Sequence, residues 1–221
     1  MRVLGLALYA EGPTDYRFLR PILQRLCEDL CLKRSDAVVE VNEVLGLNHS
    51  SSYDNSPRED RIIAAATEAR GAWNILFVHA DGSPDALRAL TTQVMPALAR
   101  IENDFSPSER GVAVMPVRET EAWALVDGEA LRCVWGTRLT DTDLELPQLG
   151  SDIERIGDPK LSLKTAYLAT NPPEKRRREG PAPYLTSIAE AVSLDRLRAL
   201  EAFAKLEKDL TRVLIDMRFI K

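Results

Sequence analysis

The sequence predicts an open α/β fold: a mostly parallel sheet flanked by helices, followed by a helical extension. Three observations carry that expectation. The first half alternates short apolar runs with segments of helical period, the βα pattern of a parallel sheet. Three of the apolar runs end in acid, at Glu11, Asp81 and the Glu119/Glu121 pair. Beyond Gly136 strand-like runs disappear, and the closing segment repeats apolar residues at helical spacing.

The elements follow in order. A first strand over 3–10 is apolar throughout, as a strand buried on both faces should be. Gly12-Pro13-Thr14 then opens a helix, with Pro13 suited to its first turn. Leu19, Ile22, Leu23, Leu26 and Leu30 give that helix a stripe for packing on the sheet. A second strand over 37–44 alternates in its later part, which predicts a wet face or an edge. Residues 46–57 form a polar loop, and a helix follows over 58–70. The third strand, 75–78, runs on to Asp81. Ser83-Pro84 then supplies a cap and a first-turn proline for a helix striped by Leu87, Leu90, Val94, Leu98 and Ile101. The fourth strand covers 112–117, and a helix begins almost at once from Glu119. A short helix over 161–169 interrupts the loop-rich stretch, and 187–217 is helical by period. These patterns divide the chain into an α/β domain over 1–135 and a loop-rich, helical extension over 136–221 packed on it.

The bulk properties narrow the function classes. With 221 residues the chain can bury one large core, and 45% apolar residues is ordinary for a globular protein. No apolar run approaches the roughly 20 residues that span a bilayer. The basic and apolar start stops at Glu11 without a small-residue cleavage pattern, so it reads as a core strand rather than a leader, and a cytoplasmic location is expected. Cys27, Cys31 and Cys133 lack metal-ligand spacing and read as buried reduced thiols. A net charge of −5 argues against a nucleic-acid field over the whole surface, although local patches can still meet phosphates. The clearest patch, Lys175-Arg176-Arg177-Arg178, lies between Pro172-Pro173 and Gly180-Pro181, on an expected exposed loop.

In an open α/β sheet, strand carboxyl ends face one crevice, where ligands bind. Carboxylates converging there repel one another unless a cation joins them. The expected cation is Mg²⁺, with Mn²⁺ able to substitute, because hard divalent ions prefer oxygen ligands. Glu11 is a candidate metal ligand or general acid or base; the competing reading is an acid at a helix start, where negative charge is favourable. Gly12 lets a ligand approach the backbone. Asp81 is the main candidate ligand, though Asp-Gly is also common in ordinary turns. Asp85, one helical turn on, could reach the same cation. His79 shares side-chain parity with Asp81 and could orient it. Glu119 and Glu121 point together if the chain is still extended; if a helix has begun, only one faces the crevice. Arg118 is a candidate phosphate contact.

These residues resemble a known family. Glu11-Gly12-Pro13-Thr14-Asp15 with Phe18-Leu19 is similar to the first motif of the TOPRIM fold, shared by topoisomerases, DnaG-type primases and OLD-family nucleases. Asp81-Gly82-Ser83 looks like the second motif, usually Asp-x-Asp, with Ser83 in place of the second aspartate. A longer resemblance is to an uncharacterised TOPRIM-like bacterial family, domain of unknown function 4276. It is carried by Glu119-Thr120-Glu121-Ala122-Trp123, by Asp158-Pro159-Lys160 with Leu163-Lys164, and by the closing helical segment. The resemblance implies a Mg²⁺-dependent nuclease acting on DNA or RNA, an AAA- or ABC-type ATPase partner and a role in phage defence. Catalysis would then fall to Glu11, Asp81 and Glu121, with metal ligands drawn from these and from Asp85 and Glu119. Gly12, His79 and Ser83 would support them. Lys160 would join Arg118 and the 175–178 run in holding the nucleic acid. The alternative is a non-catalytic TOPRIM-like module that partners or regulates an ATPase.

Overall fold

The computed structural model describes residues 1–82, 85–147 and 151–221, with backbone alone for 151 and 152. Its centre is a four-stranded parallel sheet of order β2-β1-β3-β4, made of β1 (Arg2–Tyr9), β2 (Val39–Gly46), β3 (Ile75–His79) and β4 (Arg110–Val114). The predicted α/β architecture is the observed one. Strand four ends three residues early: 116–117 continue beside β3's exit as single contacts, Gly82 N–H donating to the Pro116 carbonyl at 3.0 Å. Gly82 is required there, since a Cβ would lie 2.5 Å from the Val117 carbonyl oxygen and 2.6 Å from that of Pro116.

Alternation along the strands builds two cores. Leu4, Leu6 and Leu8 of β1, Ile75 and Phe77 of β3, and Val112 and Val114 of β4 face one side. That side is covered by α1 (Pro13–Arg34) and by the helices near the carboxyl terminus. Ala7, Tyr9, Leu76 and Val78 face the other, under α2 (Arg58–Glu68) and the helical stretch between β3 and β4. That stretch is not one α-helix. It comprises α3 (Ala86–Ala89), a π-helical segment (Leu90–Val94) and α4 (Met95–Asp104). Pro96 has no N–H to return to Thr92, and the wider i→i+5 turn absorbs that loss. The predicted stripe is correspondingly broken: Val94 and Ile101 are buried, whereas Leu87 is exposed. The expected cap at Ser83-Pro84 lies outside the described residues; Asp85 caps α3, accepting the Arg88 N–H at 3.0 Å.

After β4 come α5 (Glu121–Ala124), α6 (Gly128–Trp135), α7 (Ser151–Glu154), α8 (Pro159–Ala169), α9 (Glu174–Glu179), α10 (Leu185–Ala191), α11 (Leu194–Arg198) and α12 (Glu201–Asp216). Phe203, Leu206, Leu210 and Leu214 of α12 bury their stripe in the same core as β4 and Trp123. The 175–178 run sits on the short helix α9 rather than a loop, because Glu174 pairs with Arg178 across one turn. Cys27 and Cys31 are buried as expected, and burial pushes both thiols up; Cys133 is exposed, on the outer side of α6. No described helix is long and apolar enough to cross a membrane.

Candidate metal centre

The crevice forms where β1 and β3 lie side by side. The chain leaves β1 into α1 on one face and leaves β3 toward α4 on the other, so their exits diverge. Such a switch point is where open α/β sheets bind ligands.

Asp15 enters this crevice from the first turn of α1. Its Oδ2 accepts the Gly12 N–H at 2.9 Å, which fixes the turn after β1. Its Oδ1 accepts the Thr120 hydroxyl at 2.7 Å. His79, the last residue of β3, is fully buried; its Nδ1 lies 4.0 Å from Asp15 Oδ2 and its Nε2 lies 3.3 Å from Asp81 Oδ1. Asp15, His79 and Asp81 each offer one ligand atom within 4.8 Å of the others, a spacing that could hold a metal ion. His79 Nδ1, Asp81 Oδ1 and Glu121 Oε2 are buried without a hydrogen-bond partner among the described residues. Buried polar atoms are rarely left so, and three at one site suit a bound cation. The donor set is two carboxylates and an imidazole, so it includes a nitrogen that an all-oxygen Mg²⁺ expectation did not contain.

Glu121 begins α5 beside this cluster. Burial pushes its carboxyl up to about 7; its own N–H and Lys160 pull it back, while the charges of Asp15 and Glu119 push further. Because the helix has begun at 121, the two glutamates diverge. Glu119 turns to Lys160, accepting its Nζ at 3.2 Å and its backbone N–H at 3.3 Å. Burial alone would lower the Lys160 ammonium, but Glu121, Glu119 and Asp81 outweigh it and hold it above its ordinary value.

Several expected residues stand elsewhere. Glu11 is outside the Asp15–His79–Asp81 group and pairs with Arg58 at 3.3 Å, because α2 brings that guanidinium over the β1 exit. Asp85 spends its carboxylate on the α3 cap and is exposed. Ser83 lies outside the described residues. Arg118 is directed to the Gly157 carbonyl at 3.5 Å, in a surface groove with Lys160 and Lys164. Lys175, Arg176, Arg177 and Arg178 are exposed on α9, with Arg177 donating to Asn171 at 2.8 Å. Gly12 supports Asp15 through its N–H, and His79 moves from a supporting place to the centre. Sequence reading missed Asp15 and Thr120 as members of the site. Both lie inside motifs that the sequence offers, Asp15 as the closing acid of Glu11-Gly12-Pro13-Thr14-Asp15 and Thr120 within Glu119-Thr120-Glu121, but the more conspicuous glutamates carry the expectation there.

No curated protein and no solved structure matches the chain. A family model described as a domain of unknown function, DUF4276, matches residues 10–211, nearly the whole length. The chain therefore belongs to the DUF4276 family.

Proposed function

We propose that the protein is a divalent-metal-dependent phosphodiester hydrolase, a TOPRIM-type nuclease acting on DNA or RNA. The observation that supports it most is the Asp15–His79–Asp81 group at the β1/β3 switch point, with unsatisfied ligand atoms. Asp15, His79 and Asp81 would hold the cation, with Glu121 alongside. The imidazole makes Mn²⁺ a better fit than Mg²⁺. Bound there, a divalent ion would polarise a phosphoryl oxygen and lower the pKa of its water.

The chain's own groups have distinct tasks in this reading. Thr120 and Gly12 fix Asp15 from two directions, so that its orientation is set before a ligand arrives. Glu121, with a carboxyl near 7, can take a proton from water or give one to a leaving oxygen close to neutral pH. Lys160, held protonated by its carboxylate neighbours, can offset charge on a phosphate. Arg118 and Lys164, in the same surface groove, would extend that contact along the backbone. An ATPase partner and a role in phage defence belong to the same reading and rest on the family resemblance.

One observation favours a second reading. His79 lies between Asp15 and Asp81, at 4.0 Å and 3.3 Å, so the three groups can also stand as a purely structural cluster. The protein would then be a non-catalytic module that binds an ATPase. Oligonucleotide cleavage in Mn²⁺ separates the two: Asp81→Ala should abolish metal-dependent cleavage, and undiminished cleavage by that variant refutes the metal assignment. A wild-type chain that neither binds Mn²⁺ nor cleaves supports the second reading.

A further inference from the structure

A second cavity opens on the other side of the turn after β1. Its volume is about 660 Å³, and Tyr9, Glu11, His49, Arg58 and Arg61 are on its wall. The two arginines differ in what they do for the fold. Arg58 is committed to protein partners: Glu11 at 3.3 Å, the His79 carbonyl at 2.6 Å and the Gln93 carbonyl at 3.2 Å. Arg61, one turn further along α2, pairs with no carboxylate among the described residues, and its Nε is buried with no hydrogen-bond partner. Arg61 as a whole is half-buried on the cavity wall, so its guanidinium can meet an anion that enters from solvent.

The rest of the wall suits an anion. Glu11 is neutralised by Arg58, so the charge of Arg61 is left over. The Tyr9 hydroxyl shares a hydrogen bond of 2.9 Å with His49 Nδ1, and His49 Nε2 lies 3.2 Å from Asp54 Oδ1. That relay holds the phenol on the wall, where burial keeps its proton on and Arg61 and Arg58 pull only partly against it. The first turn of the 22-residue α1 begins at Pro13, on the same wall, and adds the positive end of its dipole.

We infer that this cavity binds a phosphate oxyanion of the nucleic-acid strand, with Arg61 as the charged fork and the Tyr9 hydroxyl, turning its one proton from His49 Nδ1 to the anion, as a second donor. This rests on the phosphodiesterase reading. The two sites share the turn at 11–12: Gly12 holds Asp15 of the metal group, and Arg58 joins Glu11 to the backbone of His79. A strand crossing that turn would offer one phosphate to the metal group and a neighbouring one to Arg61.

The test is fluorescence anisotropy on the full chain in EDTA, where no metal-dependent cleavage occurs. The probes are a labelled single-stranded oligonucleotide with a 5′-phosphate and the same strand with a 5′-hydroxyl. Arg61→Gln should weaken binding about tenfold and reduce the slope of log K against log salt by about 0.7, the loss of one phosphate contact on a single strand. Tyr9→Phe should weaken it about threefold with no change in slope. If the loss is confined to the 5′-phosphorylated strand, the anion is a terminal phosphate; if both strands lose equally, it is an internal phosphodiester. Exposed Lys208→Gln, on the far helix α12, controls for general charge. Thermal unfolding checks that each variant folds, and Tyr9→Phe carries the test should Arg61→Gln fail to. Wild-type affinity and salt slope in every folded variant of this pair overturn the inference. Cleavage by wild type in Mn²⁺ is scored separately. Its absence, with Arg61-dependent binding intact, overturns the nuclease reading alone.

Discussion

Glu121 is an acid that holds its proton more firmly in the folded protein than in the unfolded chain. Its carboxyl sits at about 7 rather than 4.5, mainly through burial. An acid raised in this way stabilises the fold fully below about 4.5, and that contribution is lost as pH rises through about 7. The window of about 2.5 pK units corresponds to an upper value of about 3 kcal/mol. In EDTA, urea unfolding of the wild type should therefore weaken between pH 4.5 and 7, and Glu121→Gln should flatten that slope and be the more stable at pH 8. Parallel curves for the two proteins would contradict the burial argument. Thr120 offers a second test. Removing its hydroxyl with Thr120→Val leaves Asp15 Oδ1 short of a donor in a buried place, so stability should fall by about 1–3 kcal/mol. Mn²⁺ affinity, read by calorimetry, should fall about 10-fold or more, as when an outer partner of a metal ligand is lost. These two residues also show where sequence pattern stops. Asp81 and Glu121 were visible because an acid at the end of an apolar run is unusual. Asp15 caps α1 through Gly12 as an ordinary acid would, and its second task depends on Thr120, more than a hundred residues away, which no local period reports.

At the scale of elements, the exits of β3 and β4 are locked edge to edge by Gly82. A methyl group there would meet the carbonyl oxygens of Val117 and Pro116 at under 3 Å, and both belong to backbone that cannot swing aside. Gly82→Ala should cost about 1–3 kcal/mol in urea unfolding, the range of an overpacked site. It should also weaken Mn²⁺ binding, because Asp81 is its neighbour. The first and third strands and the start of α1 are legible to within a residue, since their apolar runs and the 19-22-23-26-30 stripe are regular, whereas the second and fourth strands are displaced by two or three residues at their ends. The helical stretch after Asp81 is not legible. Its period is interrupted by Pro96, and the register slips by one residue across the π-helical segment, which carries Leu87 out to solvent. The prolines and glycines that bracket the basic run predict a loop, yet six residues between them suffice for a helical turn closed by Glu174 and Arg178.

For the whole molecule, the carboxyl-terminal helices are part of the apparatus that positions the site. Trp123, two residues after Glu121, meets Phe203 of α12 edge to face with ring centroids 5.2 Å apart, and both are fully buried. Phe203→Ala should cost about 3–5 kcal/mol, and the protein should still unfold in one transition that both tryptophan fluorescence and circular dichroism follow. Separate transitions would mean that the extension and the sheet are independent. The pattern at the sequence level located the extension but could not tell a separate cap from a shared core, because a helical stripe does not reveal which surface it meets. All of these elements converge on the β1/β3 crevice, and the central claim is that a divalent cation belongs there. The most direct measurement is anomalous diffraction from a crystal of the full chain soaked in Mn²⁺. A peak is expected within about 2.0–2.6 Å of ligand atoms from Asp15, His79 and Asp81, the range over which hard cations meet oxygen and nitrogen donors. Ordered crystals with no peak there, or with Mn²⁺ bound only at surface carboxylates, would contradict it.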